Sequence, residues 1–168
     1  MCWNLSLAKY VSWGLLPKFI DMECYEIPFM LVSFEDASNV MPLVMPLVMA
    51  EVAGVETRLV LDTGASHTCM DKKMVKPFIV PKAETEQEVM GIGGRRLSNC
   101  ICLIPQIRIG GLCLQSYKVV AVRMGNINCM LSKFGQEPIG GLLGSDFFGH
   151  YHAVIDYASG MLRLQDNL

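Results

Sequence analysis

The feature that most constrains this chain is a train of short apolar runs between Pro46 and Leu164, most of them closed by a glycine-bearing turn. Residues 47–52 lead into Ala53-Gly54 and residues 56–61 return from it, which predicts a β-hairpin. Residues 101–109, 112–122 and 127–131 are further strand candidates, separated by Gly110-Gly111 and Gly125-Asn126. A closing hairpin is expected from residues 154–157 and 161–164 around Ala158-Ser159-Gly160, and residues 25–34 read as one more strand. Helical signals are few. Asp71 is placed to cap a turn over residues 72–76 that Pro77 closes, and Ser145 is placed to cap one over residues 146–150. Many short strands and little helix predict an all-β fold, a closed or nearly closed β-barrel with one or two short helices.

Composition sets limits on the rest. The chain has 168 residues, enough for one good core. Apolar residues make up 52% and charged residues 18%, with a net charge of −2 spread along the chain. This is globular, and nothing in it marks a nucleic-acid or anionic-membrane partner. No stretch reaches the roughly 20 apolar residues of a membrane span, and residues 1–22 make a poor export signal, so a cytoplasmic location is expected. The seven cysteines include no Cys-x-x-Cys pair and read as reduced, mostly buried small apolar residues; the twelve methionines read as core filler. A metal site from Cys69, Cys100 and Cys102 with His67, or from His150 and His152, lacks familiar zinc spacing, so no metal is expected.

Asp62 stands out chemically. It ends a run that is apolar on both faces, Leu59-Val60-Leu61, and opens Thr63-Gly64-Ala65-Ser66. A carboxylate at the end of a buried strand is partly desolvated and needs donors. Gly64 frees the loop to turn amides inward, and the hydroxyls of Thr63 and Ser66 are possible donors. The plainer reading makes Asp62 a turn or capping residue. A faint internal echo links residues 58–66 to residues 141–150, where Leu142-Leu143-Gly144 precedes the second helix cap.

Residues 59–66, Leu-Val-Leu-Asp-Thr-Gly-Ala-Ser, resemble the catalytic loop of the retropepsins, the retroviral and retroviral-like aspartic proteases. Pro46 to Gly54 resembles their leading hairpin, Met90-Gly91-Ile92-Gly93-Gly94 their flap tip, and Leu142-Leu143-Gly144 the apolar-apolar-Gly triple near their C-terminus. Ser145-Asp146-Phe147-Phe148 looks more like the cellular and bacterial members than the viral ones. The likeness spans residues 46–164, so residues 41–168 are expected to form the protease domain and residues 1–40 an extension.

The resemblance implies an aspartic endopeptidase with Asp62 as the catalytic carboxylate. Thr63, Gly64, Ala65 and Ser66 would support the loop, and Gly91, Ile92, Gly93 and Gly94 would form a flap over an extended peptide. Leu142, Leu143 and Gly144 would be structural beside the site. It implies no cofactor. In this family one chain supplies one Asp-Thr-Gly; Asp146 and Asp156 are not followed by Thr-Gly or Ser-Gly. A homodimer would therefore bring two Asp62 carboxylates together on a two-fold axis, with Thr63 bonding across it. Ala65 stands where pepsin-like enzymes usually carry Ser, which implies a less acidic optimum than pepsin's. Arg95 and Arg96 after the flap read as solvated hairpin residues or as a preference for acidic substrates. The alternative function is a dimerisation or peptide-binding module of the same fold with little turnover. A nucleotide site at residues 91–94 lacks the lysine and helix start such loops use.

Overall fold

The computed structural model describes residues 23–34, 43–80 and 100–166. Two strands open the chain, β1 (Glu23–Pro28) and β2 (Met30–Phe34). They were expected as one. Pro28 has no N–H to offer a ladder, the Phe29 amide makes one last bond in the β10 direction to Gly160 O (2.9 Å), and from Met30 the chain pairs with β3. The chain therefore changes sheets there.

The hairpin predicted around Ala53-Gly54 is present as β3 (Leu43–Val52) and β4 (Val55–Leu61). Both turn residues have positive φ, 49° and 84°, the primed-turn geometry that matches the twist of the strands. Then come β5 (Cys69–Asp71), the short α1 (Lys72–Val75) and a 3-10 turn at Lys76–Phe78. Asp71 caps α1 as expected, accepting from Lys73 N (3.3 Å). Pro77 does not end the helical stretch but sits in the first turn of the 3-10 segment, where a missing N–H costs nothing.

The long hairpin of β6 (Cys100–Ile109) and β7 (Leu112–Val122) turns at Gly110-Gly111. Residues 127–131, expected as a strand, lie instead within α2 (Gly125–Lys133). The run is short, and Ile127, Met130, Leu131 and Phe134 also recur at helical spacing, which a strand reading overlooks. The chain ends with β8 (Gly141–Leu143), α3 (Ser145–His150), β9 (Val154–Asp156) and β10 (Met161–Asp166). The N-cap of α3 is Gly144, not Ser145, whose hydroxyl is used elsewhere.

Strands β3, β4, β8, β5, β7 and β6 follow one another around a ring, and pairing of β6 with β3 through Glu51–Arg108 and Val52–Ile107 closes it. The expected all-β closed barrel is thus observed. β2 adds to β3 outside the ring, while β1, β10 and β9 form a separate sheet. Inward residues fill the barrel: Val48, Leu59, Leu61, Met70, Ile104 and Leu143 are all at most 5% exposed. α3 plugs one end with Phe147, wholly buried and edge-on to Tyr117 with ring centres 6.5 Å apart.

Two compositional expectations need correction. Among the described cysteines only Cys102 is buried, and Cys24, Cys113 and Cys129 are exposed; alternation along β7 turns Cys113 outward between buried Leu112 and Leu114. Met70 and Met124 are core residues, but Met30 and Met49 are about half exposed (45% and 50%).

Candidate active site

The site is built where β4 and β8 pair side by side. These two strands run parallel, with Leu59 opposite Gly141, Val60 opposite Leu142 and Leu61 opposite Leu143. The two stretches that echo one another in the sequence therefore lie side by side. Pairing continues past β4, because Asp62 N donates to Leu143 O (3.0 Å). Leu59 and Leu61 enter the core, so alternation directs Asp62 to the other side, where it is half-buried.

The loop then turns tightly on itself. Gly64 N donates to Asp62 Oδ1 (3.0 Å) and Ala65 N donates to Asp62 O (3.1 Å). A Cβ at Gly64 would stand 3.2 Å from Asp62 Oδ1, so glycine suits this close approach of amide to carboxylate. α3 holds the loop from behind: Ser145 Oγ donates to Thr63 O and Ser145 N to Ala65 O, each at 2.8 Å. Thr63, Gly64 and Ser66 are exposed, so the loop presents itself at the surface. The Ser66 hydroxyl lies 2.9 Å from His67 Nδ1, a local pairing in place of the bond to Asp62 that the sequence allowed.

Asp146 emerges as a supporting residue that the sequence reading passed over. Its Oδ1 accepts from Thr68 N (2.8 Å), Thr68 Oγ1 (2.9 Å) and Phe147 N (2.8 Å). Thr68 is wholly buried, and its hydroxyl also accepts from Gly144 N (3.2 Å). The end of the Asp62 loop is thereby clamped to the start of α3. Gly144 is required by this close approach of the loop to α3, since a Cβ there would lie 2.5 Å from the His67 carbonyl carbon. The signal in the sequence was a Gly-x-Asp at a helix start, a common capping pattern that does not name its distant partner.

Two neighbours register the electrostatics. Burial pushes the Cys69 thiol up from 9.0 to about 11, helped by the carboxylates of Asp146 and Asp62. Burial likewise raises Tyr117 to about 12, with Asp146 adding to it and a bond with Thr68 opposing it. Leu142, Leu143 and Gly144 are brought against the Asp62 loop. Gly91, Ile92, Gly93 and Gly94, with Arg95 and Arg96, lie outside the described residues. Among those described, no group of three or more His, Cys, Asp or Glu is placed to hold a metal ion, and no helix is long and apolar enough to cross a membrane.

The family model described as aspartyl protease matches residues 48–147, well over half of the chain. The chain belongs to the aspartyl protease family. The matched stretch of this aspartyl protease takes in the Asp62 loop, β8 and the start of α3. Similar solved structures include a retropepsin-like aspartic protease from Rickettsia conorii, 16% identical, covering 86% of this chain and 94% of that one at a TM-score of 0.45. Another is the retroviral protease-like domain of Ddi1 from Leishmania major, 16% identical, covering 74% and 90% at a TM-score of 0.47. No curated protein matches the chain.

Proposed function

We propose that this aspartyl protease is an endopeptidase that works as a homodimer, with Asp62 of each subunit as a catalytic carboxylate. The observation that carries the reading is the placement of Asp62. It is half-buried on an exposed loop, fixed by backbone bonds, with one carboxylate oxygen held by the Gly64 amide at 3.0 Å. No ion pair of Asp62 is recorded among the described residues. A carboxylate so held is positioned without being neutralised, which suits chemistry better than structure.

Two such groups meeting on a two-fold axis cannot both ionise comfortably, and aspartic proteases are the standard case of two carboxylates sharing one proton. The ionised partner takes a proton from a water between them as it attacks the scissile carbonyl carbon. The protonated partner donates to the carbonyl oxygen. The pair titrates as a unit. Exposure of Thr63 and Gly64 leaves the loop open to a second subunit, and residues 91–94 would close over the bound peptide. Substrate would lie extended, held by main-chain bonds.

The test is Asp62→Asn on the purified chain with a denatured protein as substrate. The wild type is expected to cleave and the variant to lose at least about a thousandfold in kcat/KM with its melting temperature kept. Equal cleavage by both would remove Asp62 from the chemistry. Peptide binding without cleavage by either would favour the module.

A further inference from the structure

The side of β4 that carries Asp62 also carries Arg58 and Glu56, four and six residues earlier. A hollow of about 430 Å³ opens there, lined by Met49, Glu56, Thr57, Arg58, Glu137 and Pro138. Its volume lies in the range of ligand sites. A smaller hollow of about 240 Å³ shares Met49 and Glu56 with it and runs on to Glu51, Arg108 and Gly110. The shared residues make one groove across the outside of β4, β3 and β6. Two of its features are costly to the fold. Glu51 and Glu56 stand directly opposite each other on β3 and β4, and like charges so paired repel. Arg108 faces Glu51 from β6 and balances one carboxylate at most, and no ion pair of Glu56 is recorded among the described residues. The second feature is Arg58. Its side chain is only 11% exposed, and Nε is buried with no hydrogen-bond partner among the described residues. Nη2 is spent on Glu137 O, while the Glu137 carboxylate, 84% exposed, stays 4.0 Å from Nε. Met49, half exposed, stands opposite Arg58 and offers an apolar surface beside both charges.

Resting on the Asp62 reading for its link to catalysis, we propose that this groove is a second contact site for substrate, one that holds a basic peptide segment well away from the scissile bond. A lysine or arginine head pairs with Glu56 and Glu51, and its aliphatic stem lies along Met49. A main-chain carbonyl of the same segment accepts from Arg58 Nε, the donor the fold leaves unused. The peptide thus relieves both costs at once. An acidic segment is refused, because it would add its charge to Glu51, Glu56 and Glu137. Six residues of strand span about 20 Å. An extended chain held at Asp62 therefore reaches Glu56 after six residues or more.

Two measurements test the groove. In the first, fluorescein-labelled hexa-arginine is titrated with wild type and with Glu56→Gln, a change at an exposed hairpin position that leaves the core untouched. Wild type is expected to bind, and the variant to bind about fivefold or more weakly. Equal binding, or none by wild type, overturns the groove whatever the chain cleaves. In the second, a library of 20-residue peptides is digested by both proteins and each cut is read by mass spectrometry. Wild-type cuts are expected to be enriched about threefold or more for Lys or Arg six or more residues to one side of the bond, and Glu56→Gln is expected to lose that enrichment. Cleavage with no distal basic preference, or with the same preference in both proteins, overturns the substrate as occupant and leaves the Asp62 reading standing. Hexa-arginine binding through Glu56 by a chain that cleaves nothing keeps the basic-peptide site and sinks the Asp62 reading.

Discussion

At the scale of single residues, the Asp62 loop owes its shape to atoms outside the loop itself. Thr68 is wholly buried with a hydroxyl shared between Asp146 Oδ1 and Gly144 N. Thr68→Val keeps the shape and removes the hydroxyl, leaving the Gly144 amide without that partner. A loss of about 1–3 kcal/mol is expected in urea unfolding, and an unchanged midpoint would show that the clamp contributes nothing. Cys69 offers an independent probe of the same neighbourhood. Its thiol, raised to about 11 by burial first and then by Asp146 and Asp62, stays protonated at neutral pH. It should alkylate more slowly than the exposed Cys24, Cys113 and Cys129, as followed by mass spectrometry of iodoacetamide-treated protein. Asp62 itself was legible in the sequence because its loop is local: strand, carboxylate, Thr and Gly within a few positions. Asp146 was not, because its partner Thr68 lies 78 positions away and a single sequence carries no distance.

At the scale of elements, the hairpins with glycine turns were legible, β3–β4, β6–β7 and β9–β10 among them. Their information is also local. The parallel pairing of β4 with β8 was hinted at only by a weak echo, and the three-residue β5 and β8 are too short for a periodic signal. α2 was misread because a run of five residues fits either period. The small outer sheet suggests an acid-sensitive point. Arg163 of β10 pairs with Glu26 of β1 at 3.2 Å and with Asp156 of β9 at 3.1 Å. Bonds from Ser159, first from its side chain, and then from Arg163 draw the Asp156 carboxyl down from 3.8 to about 2. A carboxyl lowered in the folded state stabilises that state above its ordinary value and loses the contribution as pH falls from about 4 toward 2. Asp156→Asn should therefore flatten the fall in stability across that window, measured by urea unfolding at stepped pH. An unchanged slope would show that the Asp156 bonds do not contribute there.

At the scale of the whole molecule, a closed barrel consumes most strand edges within one subunit. β10 is already paired on both sides, by β1 over Glu23–Asp166 to Pro28–Met161 and by β9. A second subunit is thus expected to meet this one at the exposed Asp62 loop rather than along β10. The central claim is that one Asp62 is inert until a second joins it. Mixing tests this most directly: a fixed amount of wild type is equilibrated with increasing Asp62→Asn and assayed on one peptide. If active sites need two aspartates, activity per wild-type subunit falls toward zero as mixed dimers replace wild-type ones. Activity that stays proportional to wild-type subunits at every excess of the variant would contradict the shared site.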